Sequence, residues 1–279
     1  MKKTAIIVMV LGMCVWSLGQ SNDKPAAQNP PAGQAAAAAP QGKRPPMAKT
    51  QPEFDAYKAA VALTDAAAQE KAADEFAAKY TDSELRPVLY KRVMYSYQQA
   101  NNAEKMMEAG RKVLTYDADD PEALVGVAQV LAERTRDTDL DKDERRAEAR
   151  KDAQRSLVTV DTDVPTAGQP PERIEAYKGF LRSEAYFVLG SLDFANKAWA
   201  DSEGNFRKSI DALPQNPDPV AIFRLSVALD MQGKYPEALK YANQAVDLTK
   251  AGTNAGDAAR NEQDRLLKAT GGSAAPPKN

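Results

Sequence analysis

Histidine is absent from the 279-residue chain, and cysteine occurs once, as Cys14. These two residues are the usual ligands of zinc and copper, and they supply the commonest general base and the strongest side-chain nucleophile of enzymes. Cys14 lies in a segment that we predict is removed on export, so the exported protein would form no disulfide and would hold its fold by packing alone. We therefore predict no metal and no cofactor.

Motifs that bind nucleotides or activate a nucleophile are missing as well. The sequence has no Gly-rich phosphate loop followed by Lys and Ser or Thr, no Ser on an elbow between small residues, and no dinucleotide fingerprint. Its many carboxylates follow helix surfaces, so no pair of them is singled out as an acid and a base. We predict no catalytic residue and expect a protein that is not an enzyme.

Neither sign of charge predominates, because 37 Lys and Arg residues face 39 Asp and Glu residues. Nucleic-acid-binding domains usually carry a basic stripe. Here the charges alternate in sign along the predicted helices, as in EKAADEFAAK, which is typical of a solvated helix surface. We predict no nucleic-acid partner.

The N-terminus carries a short hydrophobic run and no long one. Two lysines precede Ala5–Val15, which is shorter than the about 20 residues that a helix needs to cross a bilayer. With small residues after it, this pattern is typical of a secretory signal peptide cut after Gly19. We assign residues 1–19 to a signal peptide, expect no membrane span after cleavage, and predict export across the inner membrane to the periplasm. A retained anchor and lipidation of Cys14 are weaker alternatives.

Residues that could build a core are almost absent from both ends of the exported chain. Residues 20–52 are rich in Pro, Ala and Gln and are predicted to form a disordered linker. Residues 269–279 are rich in Gly and Pro and are predicted to form a disordered tail. Between them, residues 53–268 show apolar residues at helical spacing and no convincing strand pattern, which predicts an all-helical body.

The end of this body has a two-helix pattern with a Gly turn. Ser226 lies in the first helix, Gly233 in the turn, and Ala238, Ala242 and Ala245 along one side of the second helix. Small residues on one side of a helix allow a neighbouring helix to come close. The pattern predicts a tightly packed helical hairpin.

The same pattern recurs upstream. Gly190 precedes Ser226 by 36 residues, Trp199 stands at the turn, and Phe206 lies in the second helix. The recurrence resembles the tetratricopeptide repeat family, whose unit is a 34-residue helix–turn–helix. The earlier units, back to Phe54, match this pattern more weakly.

The resemblance implies an all-α fold, a right-handed superhelical solenoid of four to five stacked hairpins closed by a capping helix over residues 257–269. In this family the first helices line a concave groove that binds extended or helical peptides. By this resemblance the partner-binding residues would be Lys91, Tyr95, Gln98, Phe187, Ser191, Phe194, Phe223, Val227 and Met231. The alternative is that the aromatic residues among them pack against the capping helix or a neighbouring hairpin.

An insertion before the third repeat's second helix contains regularly spaced carboxylates. Asp137, Asp139, Asp141 and Glu148 fall at ligand positions of a calcium loop, but Lys142 replaces the glycine of the sharp turn. We interpret this stretch as a solvated acidic loop, and the prediction of no metal stands.

The sequence therefore predicts a non-enzymatic scaffold that binds a partner protein or peptide in the cell envelope. Two alternatives stay open: a structural or adaptor element that self-associates, and an accessory regulator of a cell-wall or secretion complex. The sequence identifies neither the partner nor the oligomeric state.

Overall fold

The computed structural model describes residues 43–166 and 168–272, and this part of the chain contains eleven α-helices and no strand. The predicted signal peptide, residues 20–42 of the predicted linker and residues 273–279 of the predicted tail lie outside the described residues. No helix in the described part is long and apolar enough to cross a membrane. The helices are α1 (Gln51–Val61), α2 (Ala66–Lys79), α3 (Arg86–Gln99), α4 (Ala103–Tyr116), α5 (Pro121–Arg134), α6 (Lys142–Thr159), α7 (Pro171–Ala195), α8 (Trp199–Ala212), α9 (Pro219–Asp230), α10 (Tyr235–Leu248) and α11 (Asn254–Ala269).

Local sequence signals explain where many of these helices begin. Side-chain oxygens cap the free N–H groups of the first turn in six helices, and proline occupies the first turn of six. At α5 both signals coincide, because Asp120 accepts hydrogen bonds from the backbone of Glu122 and Ala123 and is followed by Pro121. The capping side chains are Thr50, Asp65, Asn102, Asp120, Asp218 and Thr253.

The helices pack as five antiparallel-type hairpins in sequence order, namely α1 with α2, α3 with α4, α5 with α6, α7 with α8, and α9 with α10. The second helix of each hairpin also packs against the first helix of the next one, and α11 packs on α10 and α9 at the end. This stacking confirms the predicted all-α solenoid of helical hairpins with a terminal helix. A single hairpin cannot bury its apolar side, so each depends on its neighbours.

The core has two main parts that meet at α7, which is the longest helix at 25 residues. Leu181 and Val188 of α7 belong to a cluster that extends back to α1. Phe187 belongs to a second cluster that continues through α8, α9 and α10 to Leu266 of α11. The helix α7 therefore joins the two halves of the stack.

Small residues allow the two helices within each of the last two hairpins to lie close together. Ala238, Ala242 and Ala245 of α10 are completely buried, and the Ser226 hydroxyl on α9 donates a 2.8 Å hydrogen bond to the carbonyl of Ala238. In the preceding hairpin the serine donor lies on the second helix instead of the first. There Ser202 of α8 donates a 3.0 Å hydrogen bond to the carbonyl of Gly190 on α7.

Gly190 provides a test of this close approach. A Cβ atom on Gly190 would lie 2.9 Å from the ring of Phe206, whereas a Cβ atom on Gly204 of α8 would meet nothing within 4 Å. We expect Gly190→Ala to lower the free energy of unfolding by about 1 to 2 kcal/mol, since overpacking outweighs the better helix propensity of alanine. Gly204→Ala changes only the helix propensity, so it should raise the free energy of unfolding by about 0.5 to 1 kcal/mol. Urea denaturation of both variants measures these changes, and equal shifts would argue against close packing at Gly190.

An extended segment, residues 43–50, runs along the loops between hairpins before α1 begins. The backbone N–H of Lys43 donates to the carbonyl of Thr162 at 3.1 Å, and its ammonium group lies 2.6 Å from Asp117 and 3.5 Å from Asp163. Arg44 forms a bidentate pair with Glu84. The end of the predicted linker is thus attached to the helical body, a feature that composition alone does not reveal.

We expect the double substitution Lys43→Ala and Arg44→Ala to release residues 43–50 without unfolding the helices. These ion pairs are partly or fully exposed and are screened by salt. Hydrogen exchange measured by mass spectrometry should show faster exchange at the Lys43 end and little change in α3 to α10. In high salt the wild-type protein should also exchange faster at the Lys43 end. An unchanged exchange rate would show that the ion pairs do not hold the segment.

Candidate functional site

Four of the first helices, α3, α5, α7 and α9, leave one side only partly covered, and we call this surface the first-helix face. On α7 it is defined by Glu184 and Ser191, which are seven residues apart and therefore on the same side of the helix. Ala185, Val188 and Leu192, on a different side, are buried in the core. The partly or fully exposed residues of this face are Tyr95 and Gln98 of α3, Gln129 and Glu133 of α5, Phe180, Glu184 and Ser191 of α7, and Phe223, Arg224 and Val227 of α9, with Met231 just beyond α9.

Several residues predicted for partner binding lie on the first-helix face. Tyr95, Gln98 and Val227 are partly exposed, and Met231 is 54% exposed at the end of α9. A large apolar side chain with this exposure is available for contact with another molecule. The binding role of these residues stays a prediction.

Lys91, also predicted for partner binding, is used within the protein. Its ammonium group lies 2.5 Å from Asp120 and 3.5 Å from Glu122, which joins α3 to the start of α5. Burial lowers the pKa of Lys91, but the two carboxylates raise it more, so the pKa lies above its ordinary value. Lys91 therefore contributes an internal ion pair between hairpins.

The three phenylalanines predicted for partner binding contribute to packing between helices. Phe187 is 8% exposed and its ring centre lies 5.9 Å from that of Phe206. Phe194 packs edge-on against Trp199 at 5.2 Å. Phe223 is partly buried against a cluster that includes Ala259 of the terminal helix. Phe187 and Phe194 thus contact aromatic rings of their own hairpin, and Phe223 packs toward the terminal helix.

Ser191 connects α7 to α9 through a residue that the sequence analysis did not select. Its hydroxyl donates a 2.7 Å hydrogen bond to the carbonyl of Phe187 and accepts one from the guanidinium of Arg224. The same guanidinium lies over the Phe187 ring, 5.1 Å from its centre. Burial lowers the pKa of Arg224, although Glu133 and Asp218 act in the opposite direction. Arg224 is thus held against α7 by the Ser191 hydroxyl and the Phe187 ring.

Two acidic residues, Glu184 and Asp218, have pKa values above the ordinary range of a carboxyl group. Burial, together with the nearby negative charges of Asp218 and Glu133, raises the pKa of Glu184 from 4.5 to about 7. Burial also raises the pKa of Asp218, which caps α9 through a 2.8 Å hydrogen bond from the N–H of Val220. The sequence analysis did not select Glu184. Its spacing of seven residues from Ser191 is the sequence signal that could have indicated that both residues lie on one side of α7.

Two of the four regularly spaced carboxylates, one in the loop before α6 and one within α6, form ion pairs. Asp137 lies 2.7 Å from Arg146, and Glu148 lies 2.8 Å from Arg111. The part of the chain that the structure describes holds no group of three or more potential metal ligands. These arginines occupy the surroundings in which a calcium ion would need further oxygen ligands.

Among known proteins, the chain is similar to several solved structures. No protein-family model matches the chain, and no curated protein matches it. The crystal structure of the MamA protein is 15% identical over 68% of this chain and 98% of that one, with a TM-score of 0.40. Acl4, the assembly chaperone of RpL4 (residues 1–338), is 12% identical over 79% of this chain and 99% of that one, with a TM-score of 0.35. The fold assignment rests on the helix packing described above.

Proposed function

We propose that this protein is a non-enzymatic scaffold that binds a partner protein or peptide through the first-helix face. The observation that carries the proposal is the row of partly exposed side chains on consecutive first helices, with apolar groups beside charged ones. Helices that already pack in place form a preformed surface, so the partner bears most of the cost of ordering. A mixture of apolar and charged groups suits recognition of a peptide segment.

We further propose that this binding takes place in the cell envelope, in the periplasm. The support is the N-terminal sequence, with two lysines before a short apolar run and a small-residue cleavage site. An accessory role in a cell-wall or secretion complex agrees with this location. Fractionation of cells that express the full-length chain, with detection of a C-terminal tag and of the mature N-terminus, tests the location.

Self-association is a second candidate function, favoured by one exposed apolar pair. Met231 and Tyr235 flank the turn between α9 and α10 and are 54% and 40% exposed. Exposed apolar residues that lie together often mark contacts with other protein molecules. A concentration-dependent mass in analytical ultracentrifugation that disappears with Met231→Lys would support this candidate.

Site-specific photocrosslinking in intact cells tests the binding surface. A photoreactive amino acid replaces Gln98 or Val227 on the first-helix face, and, as a matched control, exposed Asp247 on the second helix α10. We expect a discrete adduct from the first two positions and none from the third. An adduct with twice the mass of the chain would instead support self-association, and equal labelling from all three positions would contradict a specific surface.

A further inference from the structure

The extended residues 43–50, which we call the strap, run back along the stack from the start of α1. Thr50 caps α1 and fixes one end of the strap there. At the other end, the backbone N–H of Lys43 donates to the carbonyl of Thr162, in the loop between α6 and α7. The chain that precedes Lys43 therefore starts beside the third and fourth hairpins and not at the first hairpin, to which α1 belongs.

Two consecutive side chains of the strap bind three successive loops between hairpins. Arg44 forms a bidentate pair with Glu84, in the loop between α2 and α3, at 2.8 and 2.5 Å. The Lys43 ammonium group lies 2.6 Å from Asp117, between α4 and α5, and 3.5 Å from Asp163, between α6 and α7. Units of a repeat stack otherwise depend on their immediate neighbours. The strap thus links the first hairpin to loops that lie further along the stack.

The two ends of the strap are held by different kinds of contact. Near α1, the buried carboxylate of Glu53 accepts a 2.7 Å hydrogen bond from the backbone N–H of Lys49, and Ala48 packs against the core. At the far end the ion pairs lie at the surface, since the side chains of Lys43 and Arg44 are 40% and 66% exposed. Exposed ion pairs are individually weak and are screened by salt. The Lys43 end is therefore the end that can detach.

Two prolines favour the extended form of the strap. Pro45 and Pro46 follow Arg44 directly. A proline ring fixes its own φ angle and restricts the residue before it to extended conformations. A detached strap therefore keeps much of its extended form, and its return to the body costs less conformational entropy than the return of a flexible segment.

We propose that the strap is a salt-sensitive switch that sets where the preceding chain leaves the helical body. In the closed state the preceding chain leaves beside the loop between α6 and α7. In the open state it leaves at the start of α1, and the free N-terminal chain is longer by residues 43–50, which span up to about 26 Å when extended. A rise in ionic strength screens the pairs of Lys43 and Arg44 and opens the strap. This switch does not depend on the proposed function.

Distance measurements between two spin labels by double electron–electron resonance test the switch in the full-length chain, with Cys14→Ser to remove its one cysteine. The labels are attached at Met47→Cys in the strap and Val158→Cys on α6, two positions that are each 66% exposed. We expect one narrow distance distribution at low salt and a broader, longer one in about 1 M NaCl. The control pair, Val158→Cys with Leu248→Cys on α10, lies within the helical body and should change little.

Charge reversal identifies the pair that closes the strap. Arg44→Glu should shift the label distances toward the broad distribution at low salt, and Glu84→Arg alone should do the same. The two substitutions together restore opposite charges and should return the narrow distribution. As a matched control, Lys58→Glu reverses a charge that pairs with Asp55 within α1 and should leave the strap closed.

The outcomes that contradict the switch are equally specific. A broad distribution in the wild type at low salt would overturn the closed state, and a narrow distribution retained in both Arg44→Glu and about 1 M NaCl would overturn its control by charge. A double variant that stays broad would overturn the role of the Arg44–Glu84 pair. A circular dichroism spectrum equal to that of the wild type establishes that each variant is folded.

Discussion

Replacement of Lys91 by methionine should lower the free energy of unfolding by about 3 kcal/mol. The ammonium group lies between Asp120 and Glu122, and the Asp120 side chain is 6% exposed. Removal of the lysine leaves these carboxylates without their counter-charge in a place where water reaches them poorly. The two hydrogen bonds that Asp120 accepts from the backbone of α5 remain, so we expect the lower end of the range measured for broken buried pairs.

The matched control is Lys71→Met, which removes a lysine that is 78% exposed and 3.9 Å from Glu75 on the same helix. An exposed pair of this kind contributes little to stability, so this variant should unfold with the wild type. Urea denaturation at pH 7 measures both proteins. A Lys91→Met variant as stable as Lys71→Met would show that Lys91 does not hold α3 and α5 together.

Replacement of Glu184 by glutamine should have the opposite effect and stabilise the protein at pH 8. Burial raises the pKa of Glu184 from 4.5 to about 7, so the folded protein disfavours the ionised carboxylate while the unfolded chain does not. Stability associated with this group is therefore complete below pH 4.5 and is lost as the pH rises through 7. The neutral amide avoids this loss, and the gain at pH 8 should reach up to about 3 kcal/mol, on the basis of 1.36 kcal/mol per pKa unit.

The pH dependence distinguishes this effect from a general improvement in packing. The stability difference between Glu184→Gln and the wild type should be small at pH 4 and should grow between about pH 4.5 and 7. Urea denaturation at a series of pH values measures it, and Glu75→Gln serves as the exposed control. A destabilised Glu184→Gln variant at pH 8 would show that the carboxylate has a partner inside the protein.

The two predictions describe two different uses of charge on one surface. Lys91 is paired within the chain, whereas the raised pKa of Glu184 makes its ionised form unfavourable to the folded protein. A residue that costs stability and is placed on an accessible surface is a candidate for function.

Much of the architecture could be predicted from the sequence because the relevant signals are local. Helical periodicity and the small residues Ala238, Ala242 and Ala245 indicated closely packed hairpins, and these residues are completely buried. The start of α7 after Pro170 followed from the fixed backbone angle of proline. The attachment of residues 43–50 did not follow, because it depends on ion pairs with residues that are far away in the sequence, such as Asp117.

By itself the sequence determined the all-helical class and the repeat length, whereas the residues of the groove were implied by the family resemblance. Only the tertiary structure decided which of these side chains are free. The family resemblance predicted that Phe187 and Lys91 face the groove. In the structure the ring of Phe206 packs against Phe187, and the carboxylate of Asp120 pairs with Lys91. The physical reason is that helical periodicity depends on residues three or four apart, whereas burial and pairing depend on contacts between helices that are distant in the chain.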